Sequence, residues 1–253
     1  MKRIIHLSDL HFQDNWALEN HNAWMIAHHI AETYVDDGVP TMSVVTGDCM
    51  DSPIEEYRQN FWTWLQFLRR FIEVHVLPGN HDYSLVGNVF DKSAVRPFLS
   101  IAGAIEYPHV VMLNSTALVL LDSADPEDTE WFADGIIGER QLGELDAILT
   151  QTKRDGQKVI VALHHHPYLT KAGQMLVDAD KLMALLANRI DLLSFGHGHV
   201  SEGWREHKGI PVILASGKST RPDDNSILSY RVILWDEKGV KGVYKEEIRG
   251  VKE

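Results

Sequence analysis

The sequence predicts a mixed α/β fold, and three observations lead to it. The first third of the chain alternates β-type apolar runs with stretches at helical spacing, in the order β-α-β-α-β. Five apolar runs along the chain end in the same kind of polar punctuation, rich in Asp, His and Gly. The C-terminal stretch carries short β-type runs with no helical segment between them.

The elements follow in order. Met1 to His11 reads MKRIIHLSDLH, a buried-strand run of Ile4, Ile5 and Leu7 broken by Ser8-Asp9. Trp16 to Tyr34 places Ala23, Ile26, Ala27, Ile30 and Tyr34 near helical spacing and stops before Asp37-Gly38. Thr41 to Thr46 is a β-branched run closed by Gly47-Asp48. Glu55 to Phe71 is helical, with Tyr57, Phe61, Trp64, Leu65 and Leu68 forming an apolar stripe suited to core packing. Glu73 to Leu77 is a third strand, closed by Pro78-Gly79-Asn80-His81-Asp82.

The middle is less regular. Asp91 to Ser100 reads as a short helix, and Val110 to Leu113 with Ala117 to Leu121 as a hairpin ending at Asp122. Leu142, Leu145, Ile148 and Leu149 mark a helix ahead of Asp155-Gly156 and the strand Val159 to Leu163. That strand runs into His164-His165-His166-Pro167. Ala179 to Ala187 is helical, and the strand Asp191 to Phe195 ends in Gly196-His197-Gly198-His199. Val212 to Ala215, Tyr230 to Trp235 and Val240 to Tyr244 are expected to pair antiparallel.

At 253 residues, with 44% hydrophobic and 24% charged residues, one globular domain spanning 1–253 is expected. No apolar run is long enough for a membrane span, and Lys2-Arg3 is followed by too short an apolar run for a signal peptide. The lone Cys49 rules out an internal disulfide framework and fits the cytoplasm. A formal charge of −12 repels long polyanions, so no long nucleic acid is expected as a partner.

The chemistry lies in the punctuation: Asp9-x-His11, Gly47-Asp48, Gly79-Asn80-His81-Asp82, His164 to His166, and His197-x-His199. Each alone reads as a strand-end turn or a polar loop. In a sheet built from crossovers, however, ligands gather outside the carboxyl ends of the strands, where five such termini can converge. The donors are carboxylate, imidazole and amide oxygen without thiolate, which suits Mn, Fe or Zn better than a closed structural zinc site. So many ligand groups exceed one ion's usual shell, which implies two ions, and Asp48 is the candidate carboxylate to bridge them.

In their order and spacing these motifs resemble the calcineurin-like metallophosphoesterase superfamily, from Asp9 to His199. The histidine run before Pro167, and Gln141-Leu142 opening the Leu145/Leu149 helix, look most like its cyclic-nucleotide and glycerophosphodiester phosphodiesterase branch. The resemblance implies a four-layer αββα sandwich of two mixed β-sheets flanked by helices. It also implies two divalent or mixed-valence transition-metal ions (Mn, Fe or Zn). Asp9, His11, Asp48 and His199 would hold one ion; Asp48, Asn80, His164 and His197 would hold the other. His164 directly follows Val161-Ala162-Leu163, with His165 as the alternative ligand. His81 matches the histidine over the leaving group, protonated or sharing a proton with Asp82. A metal-bridging hydroxide would then attack a small phosphoester, a diester in preference to a monoester. The serine/threonine phosphatases carry Asp-Arg-Gly after their Gly-Asp, whereas here Cys49-Met50-Asp51-Ser52-Pro53 has no arginine.

The remaining histidines, His6, His21, His28, His29, His75, His109 and His207, read as core or surface residues, and Asp122 as structural. Asp14 and Asn15 fall where they could touch substrate. Trp131-Phe132 and the Tyr168 to Gln174 loop are candidate cleft walls. Two rival functions, a metal-free scaffold and a DNA nuclease, fit less well: the ligand set is complete and the chain is acidic. Oligomeric state is left open.

Overall fold

The computed structural model describes residues 1–85, 89–125, 133–171 and 173–249. The first part runs β1 (Lys2–Leu7), α1 (Leu18–Tyr34), β2 (Thr41–Thr46), α2 (Glu55–Arg69) and β3 (Glu73–Leu77). A single turn, α3 (Asn80–Tyr83), leads through the short pair β4 (Ser84–Leu85) and β5 (Val89–Phe90) to α4 (Val95–Ala102). There follow β6 (His109–Met112), β7 (Thr116–Leu120), α5 (Gly138–Arg154), β8 (Lys158–Ala162), α6 (Ala179–Leu186) and β9 (Leu192–Phe195). The chain closes with β10 (Glu202–His207), β11 (Ile210–Ala215), β12 (Leu228–Asp236) and β13 (Gly239–Ile248).

Two mixed sheets form. One has the order β13-β12-β1-β2-β3 and the other β10-β11-β9-β8-β7-β6. The βα alternation makes β1, β2 and β3 parallel, and likewise β7, β8 and β9, while β11 returns parallel to β9 after the edge strand β10. Antiparallel strands flank each parallel block: β12 on one side of the first, β6 and β10 at the edges of the second.

Both faces of each sheet are covered, which is why the strands read as continuous apolar runs rather than alternating ones. Along β1, Ile5 and Leu7 pack with Ile26, Ile30 and Trp64 of α1 and α2, while Ile4 points the other way. Ile4, Met42, Val44 and Ile233 meet Leu118, Ile160, Leu192 and Leu214 of the second sheet in the layer between sheets. On the far side, Val159 and Val161 pack on Leu145, Leu149, Leu182 and Leu186 of α5 and α6. The period of two thus sorts neighbours into different layers, giving helix, sheet, sheet, helix.

The tail departs from the expected antiparallel set. Residues Val212 to Ala215 belong to β11, which runs parallel to β9 in the second sheet, whereas β12 and β13 join the first. The antiparallel partner of β11 is β10, whose sequence EGWREH has no strand pattern because it is a largely exposed edge. Without a sign of β10, sequence could not show where the tail divides between sheets.

Candidate metal centre

The carboxyl ends of β1, β2, β3, β8 and β9 all carry polar loops, three in one sheet and two in the other. Backbone bonds fasten these loops together. The amides of Asp9, His11 and Phe12 donate to the carbonyls of Gly47 (3.0 Å), Asp48 (2.9 Å) and Cys49 (3.0 Å). In the second sheet Gly196 donates to the His164 carbonyl at 3.0 Å. The two sheets meet where His164 Nδ1 donates to the Thr46 carbonyl, 2.8 Å away. That bond fixes the tautomer and aims Nε2 into the gap between the sheets.

Left-handed backbone conformations mark the same loops. Asp9 (φ 54°), His11 (48°), Asp48 (49°), His197 (65°) and His199 (54°) all sit there. Such a conformation costs a non-glycine residue about 1–2 kcal/mol, and clusters of it occur where side-chain placement has a use. Each turns the chain sharply at a strand end, so the side chain projects back over the sheet. Two glycines permit the close approach. A methyl group on Gly196 would fall 1.8 Å from Ser8 Oγ and 2.7 Å from Asp9 Oδ2, and one on Gly47 would fall 2.5 Å from the His164 ring.

Three clusters result among the described residues: one joins His11, Asp51 and His81, and the other two share Asp48. Asp9, His11, Asp48 and His199 bring ligand atoms within 4.8 Å of one another, and so do Asp48, His164 and His197. Asp48 Oδ2 lies 3.6 Å from His11 Nε2 and 3.3 Å from His164 Nε2. His199 Nε2 is 3.3 Å from Asp9 Oδ1, and His197 Nδ1 is 3.2 Å from His164 Nε2. Asn80 starts α3, next to His81, whose amide donates to Asp48 Oδ1 at 3.0 Å. The Asn80 side chain is buried, and its Oδ1 has no hydrogen-bond partner among the described residues.

These residues fit metal ions by their electrostatics. Asp9 and Asp48 are fully buried, and among the described residues their ion-pair partners are imidazoles. Burial opposes ionisation of Asp48, but His164 and His81 outweigh it and hold its carboxyl well below the usual range. Burial likewise opposes charge on His164, yet Asp48 and Asp9 push it up to about 9. His197 goes the other way, to about 4, through burial and the nearby His164 charge. The protein alone therefore balances its buried carboxylates by keeping a proton on His164. A divalent ion held by these residues would supply that charge instead, and the Asn80 oxygen would offer it a further neutral donor.

The other residues of interest divide. His165, the alternative ligand, turns its Nδ1 to Ser123 Oγ (2.8 Å) and is held neutral by burial and by His197. His81 does not share a proton with Asp82. The Asp82 carboxylate accepts from the amides of Gly79 (2.8 Å), Met50 (2.9 Å) and Cys49 (3.2 Å), clamping the β2 and β3 loops together. Burial and the neighbouring Asp48 push Asp82 up to about 7. His81 instead donates from Nδ1 to the Asp51 carbonyl at 2.9 Å, with Asp51 Oδ1 3.8 Å away. Burial opposes its charge, but Asp48 and Asp51 outweigh that and raise its pKa. Asp51 also lies 3.1 Å from His11 Nδ1. The sequence reading passed over Asp51, although its signal was present as Gly47-Asp48-x-x-Asp51.

Asp14 is spent within its own turn, accepting from the Trp16 amide, and Asn15 lines a groove with His21, Trp24, Asn60 and Thr63. Tyr168 packs in an aromatic cluster with His166, Phe195 and Trp204. Trp131-Phe132 lies outside the described residues. His6 is buried against Thr46 Oγ1 at 2.9 Å, and Asp122 accepts from Tyr83 and Ala124.

Comparison with known proteins follows from this geometry. The chain superposes on a dimetal phosphatase from Danio rerio with a TM-score of 0.65 at 16% identity, covering 98% of each chain. It matches GAP50, the anchor in the inner membrane complex of Plasmodium, with a TM-score of 0.59 at 14% identity, covering 100% of this chain and 89% of that one. For a 5'-nucleotidase precursor from Thermus thermophilus the TM-score is 0.54 at 12% identity, covering 98% of this chain and 54% of that one. At such identities these likenesses establish the fold alone. No curated protein matches the sequence. The calcineurin-like phosphoesterase model matches residues 2–201, and with the two clusters sharing Asp48 it indicates two divalent metal ions. The chain belongs to the calcineurin-like phosphoesterase family.

Proposed function

We propose that the protein hydrolyses small phosphodiesters, using metal ions held by Asp9, His11, Asp48 and His199 on one side and Asp48, Asn80, His164 and His197 on the other. The observation that carries this reading is the single buried carboxylate, Asp48, common to two ligand clusters at the strand ends. Bound there, such a pair of ions neutralises phosphoryl-oxygen charge and makes a nucleophile from water at neutral pH.

The chain's own residues supply the rest. His81, held by the Asp51 carbonyl and with its pKa raised above the ordinary imidazole value by Asp48 and Asp51, is the candidate acid at the edge of the centre. Among the described residues the ring is hydrogen-bonded through Nδ1, so Nε2 is the atom that delivers a proton to the departing alkoxide. Asp82 keeps the Cys49-Met50 turn and α3 in register, which holds His81 beside Asp48.

The preference for a diester rests on the motif resemblance alone. In the loop after Asp48, Cys49-Met50-Asp51-Ser52-Pro53 has no arginine, which argues against the serine/threonine phosphatase branch. The N/O donor set suits Mn, Fe or Zn. The acidic surface charge argues for a small substrate over a long nucleic acid. The buried, unpaired Cys49 fits a reducing cytoplasm. No helix among the described residues is long and apolar enough to cross a membrane.

The test is turnover by protein loaded with Mn or with Fe and Zn. Aryl monoesters, aryl diesters, cyclic nucleotides and glycerophosphodiesters are compared side by side. Higher kcat/KM on a diester is expected; activity confined to monoesters contradicts the diester reading.

A further inference from the structure

Of the three histidines that follow β8, His164 enters a ligand cluster and His165 turns to Ser123, which leaves His166. Its ring is buried against the loop Gly196 to His199, which carries two of the ligands. That loop is tightly wound. The Gly198 amide donates back to the Gly196 carbonyl at 2.8 Å, closing a three-residue turn with His197 at its centre. His197 (φ 65°) and His199 (φ 54°) both take left-handed backbone, so a single glycine separates two strained residues. Such strain persists only where the surroundings hold it. Asp9 Oδ2 accepts from the His197 amide at 3.2 Å and the His164 carbonyl from the Gly196 amide at 3.0 Å, which grips the turn at its first two residues. At Gly198 the contact is steric: a methyl group there would meet His166 Cδ2 at 3.3 Å and Leu169 Cδ1 at 3.9 Å.

The His166 ring is itself fixed. Its Nδ1 accepts from the Tyr168 amide at 3.1 Å, and its Nε2 lies 3.7 Å from Glu202 Oε2. Phe195 packs against the ring with centroids 4.5 Å apart, and Tyr168 and Trp204 stand at 5.8 Å and 6.0 Å. Phe195 is the last residue of β9 and Glu202 the first of β10, so His166 reaches both strands between which the ligand loop is slung. A ring anchored in this way is a stop against which a strained turn can rest.

We propose that His166 is a positioning residue, whose braced ring holds Gly198 so that His197 and His199 both reach their ligand clusters. This rests on the phosphoesterase reading and extends it to a side chain outside those clusters. A ring that only filled space among Phe195, Tyr168 and Trp204 would change how stably the chain folds, without changing how well the folded chain binds metal. Those two roles give different results when His166 and Gly198 are altered together.

The experiment titrates chelated full-length protein with Mn or Zn by calorimetry. Visible absorption of the cobalt-loaded protein and the melting temperature before metal is added are read alongside. His166→Ala should weaken the binding of both ions by about 10- to 100-fold, the usual loss when a residue that orients metal ligands is removed. Its cobalt absorption should also shift, because His197 and His199 no longer reach the ions together. His166→Phe, which returns a ring to the space beside Gly198, should recover part of the affinity. Gly198→Ala should weaken binding on its own, but beside His166→Ala its methyl group has room. The double variant should therefore lose less than the product of the two single losses. Wild-type affinity in His166→Ala overturns the proposal, as do two losses that simply multiply. Should His166→Ala not fold, His166→Asn, which keeps an acceptor for the Tyr168 amide, takes its place in the same comparison. A wild type that binds two ions and hydrolyses no phosphoester fails the functional reading, while the calorimetry still decides His166.

Discussion

At the scale of single residues, the account separates groups that hold ions from the group that moves a proton. His81 touches Asp51 and groups with it and His11, but it stands outside both clusters that share Asp48. His81→Ala should therefore keep its metals and lose about 10²–10⁴-fold in kcat on esters with poor leaving groups, the usual contribution of general acid help. The acid must be protonated to act. With its pKa raised above the ordinary imidazole value, kcat should fall as pH climbs past that raised pKa, and the falling limb should vanish in His81→Ala. Metal analysis and a pH–rate profile check both statements. Full activity in the variant would remove His81 from the mechanism.

At the scale of elements, the centre depends on sharp turns at strand ends and on glycines that let two sheets meet. The run from Phe195 into His197 passes Gly196, where a methyl group would collide with Ser8 and Asp9. Relieving the collision means moving Ser8 Oγ, which donates to the Thr46 carbonyl, and Asp9 Oδ2, which accepts from the His197 amide. Gly196→Ala should displace Asp9, weaken the ion held with His11 and His199 by tenfold or more, and lower the melting temperature by several degrees. Metal titration of the variant tests this, and unchanged affinity would contradict it. These turns also explain what sequence could show. Asp9, His11, Asp48, Asn80, His164, His197 and His199 stand in short motifs immediately after apolar runs, so strand-end logic singled them out from residues alone. Which of His164 and His165 faces the gap was open, because a strand sends neighbours to opposite sides and sequence does not say which. The His164 bond to Thr46, made across the two sheets, orients that choice. Asp51 stands three residues after Asp48 in the same loop, but its contacts with His11 and His81 come from loops far away in sequence.

At the scale of the whole molecule, two sheets share a buried layer and bury acidic groups beyond the centre. Asp122 ends β7 and accepts hydrogen bonds from Tyr83 (3.1 Å) and from Ala124 (2.8 Å). Burial pushes it up to about 8 from an ordinary 3.8. The native state thus keeps a proton that the unfolded chain releases above about pH 4. Its stabilising contribution is complete below that pH and fades as pH rises towards 8. Asp122→Asn, which cannot ionise, should gain melting temperature relative to wild type as pH goes from 5 to 8; a constant difference would show that Asp122 does not titrate there. The βα alternation in the first third made the parallel core of the first sheet legible, and β12 and β13 were legible as strands. The division of the tail between two sheets was not, because it turns on the charged edge strand β10 and on cross-sheet packing that no local pattern encodes.

The central claim is that one carboxylate serves two ions. It is tested most directly by metal stoichiometry in wild type and in Asp48→Asn, after chelation, reloading with Mn or Zn, and removal of free metal. The account predicts two ions per wild-type chain and loss of both in the variant, because the residue is common to the two clusters. A wild-type protein that retains a single ion, or an Asp48→Asn protein that still holds two, would contradict it.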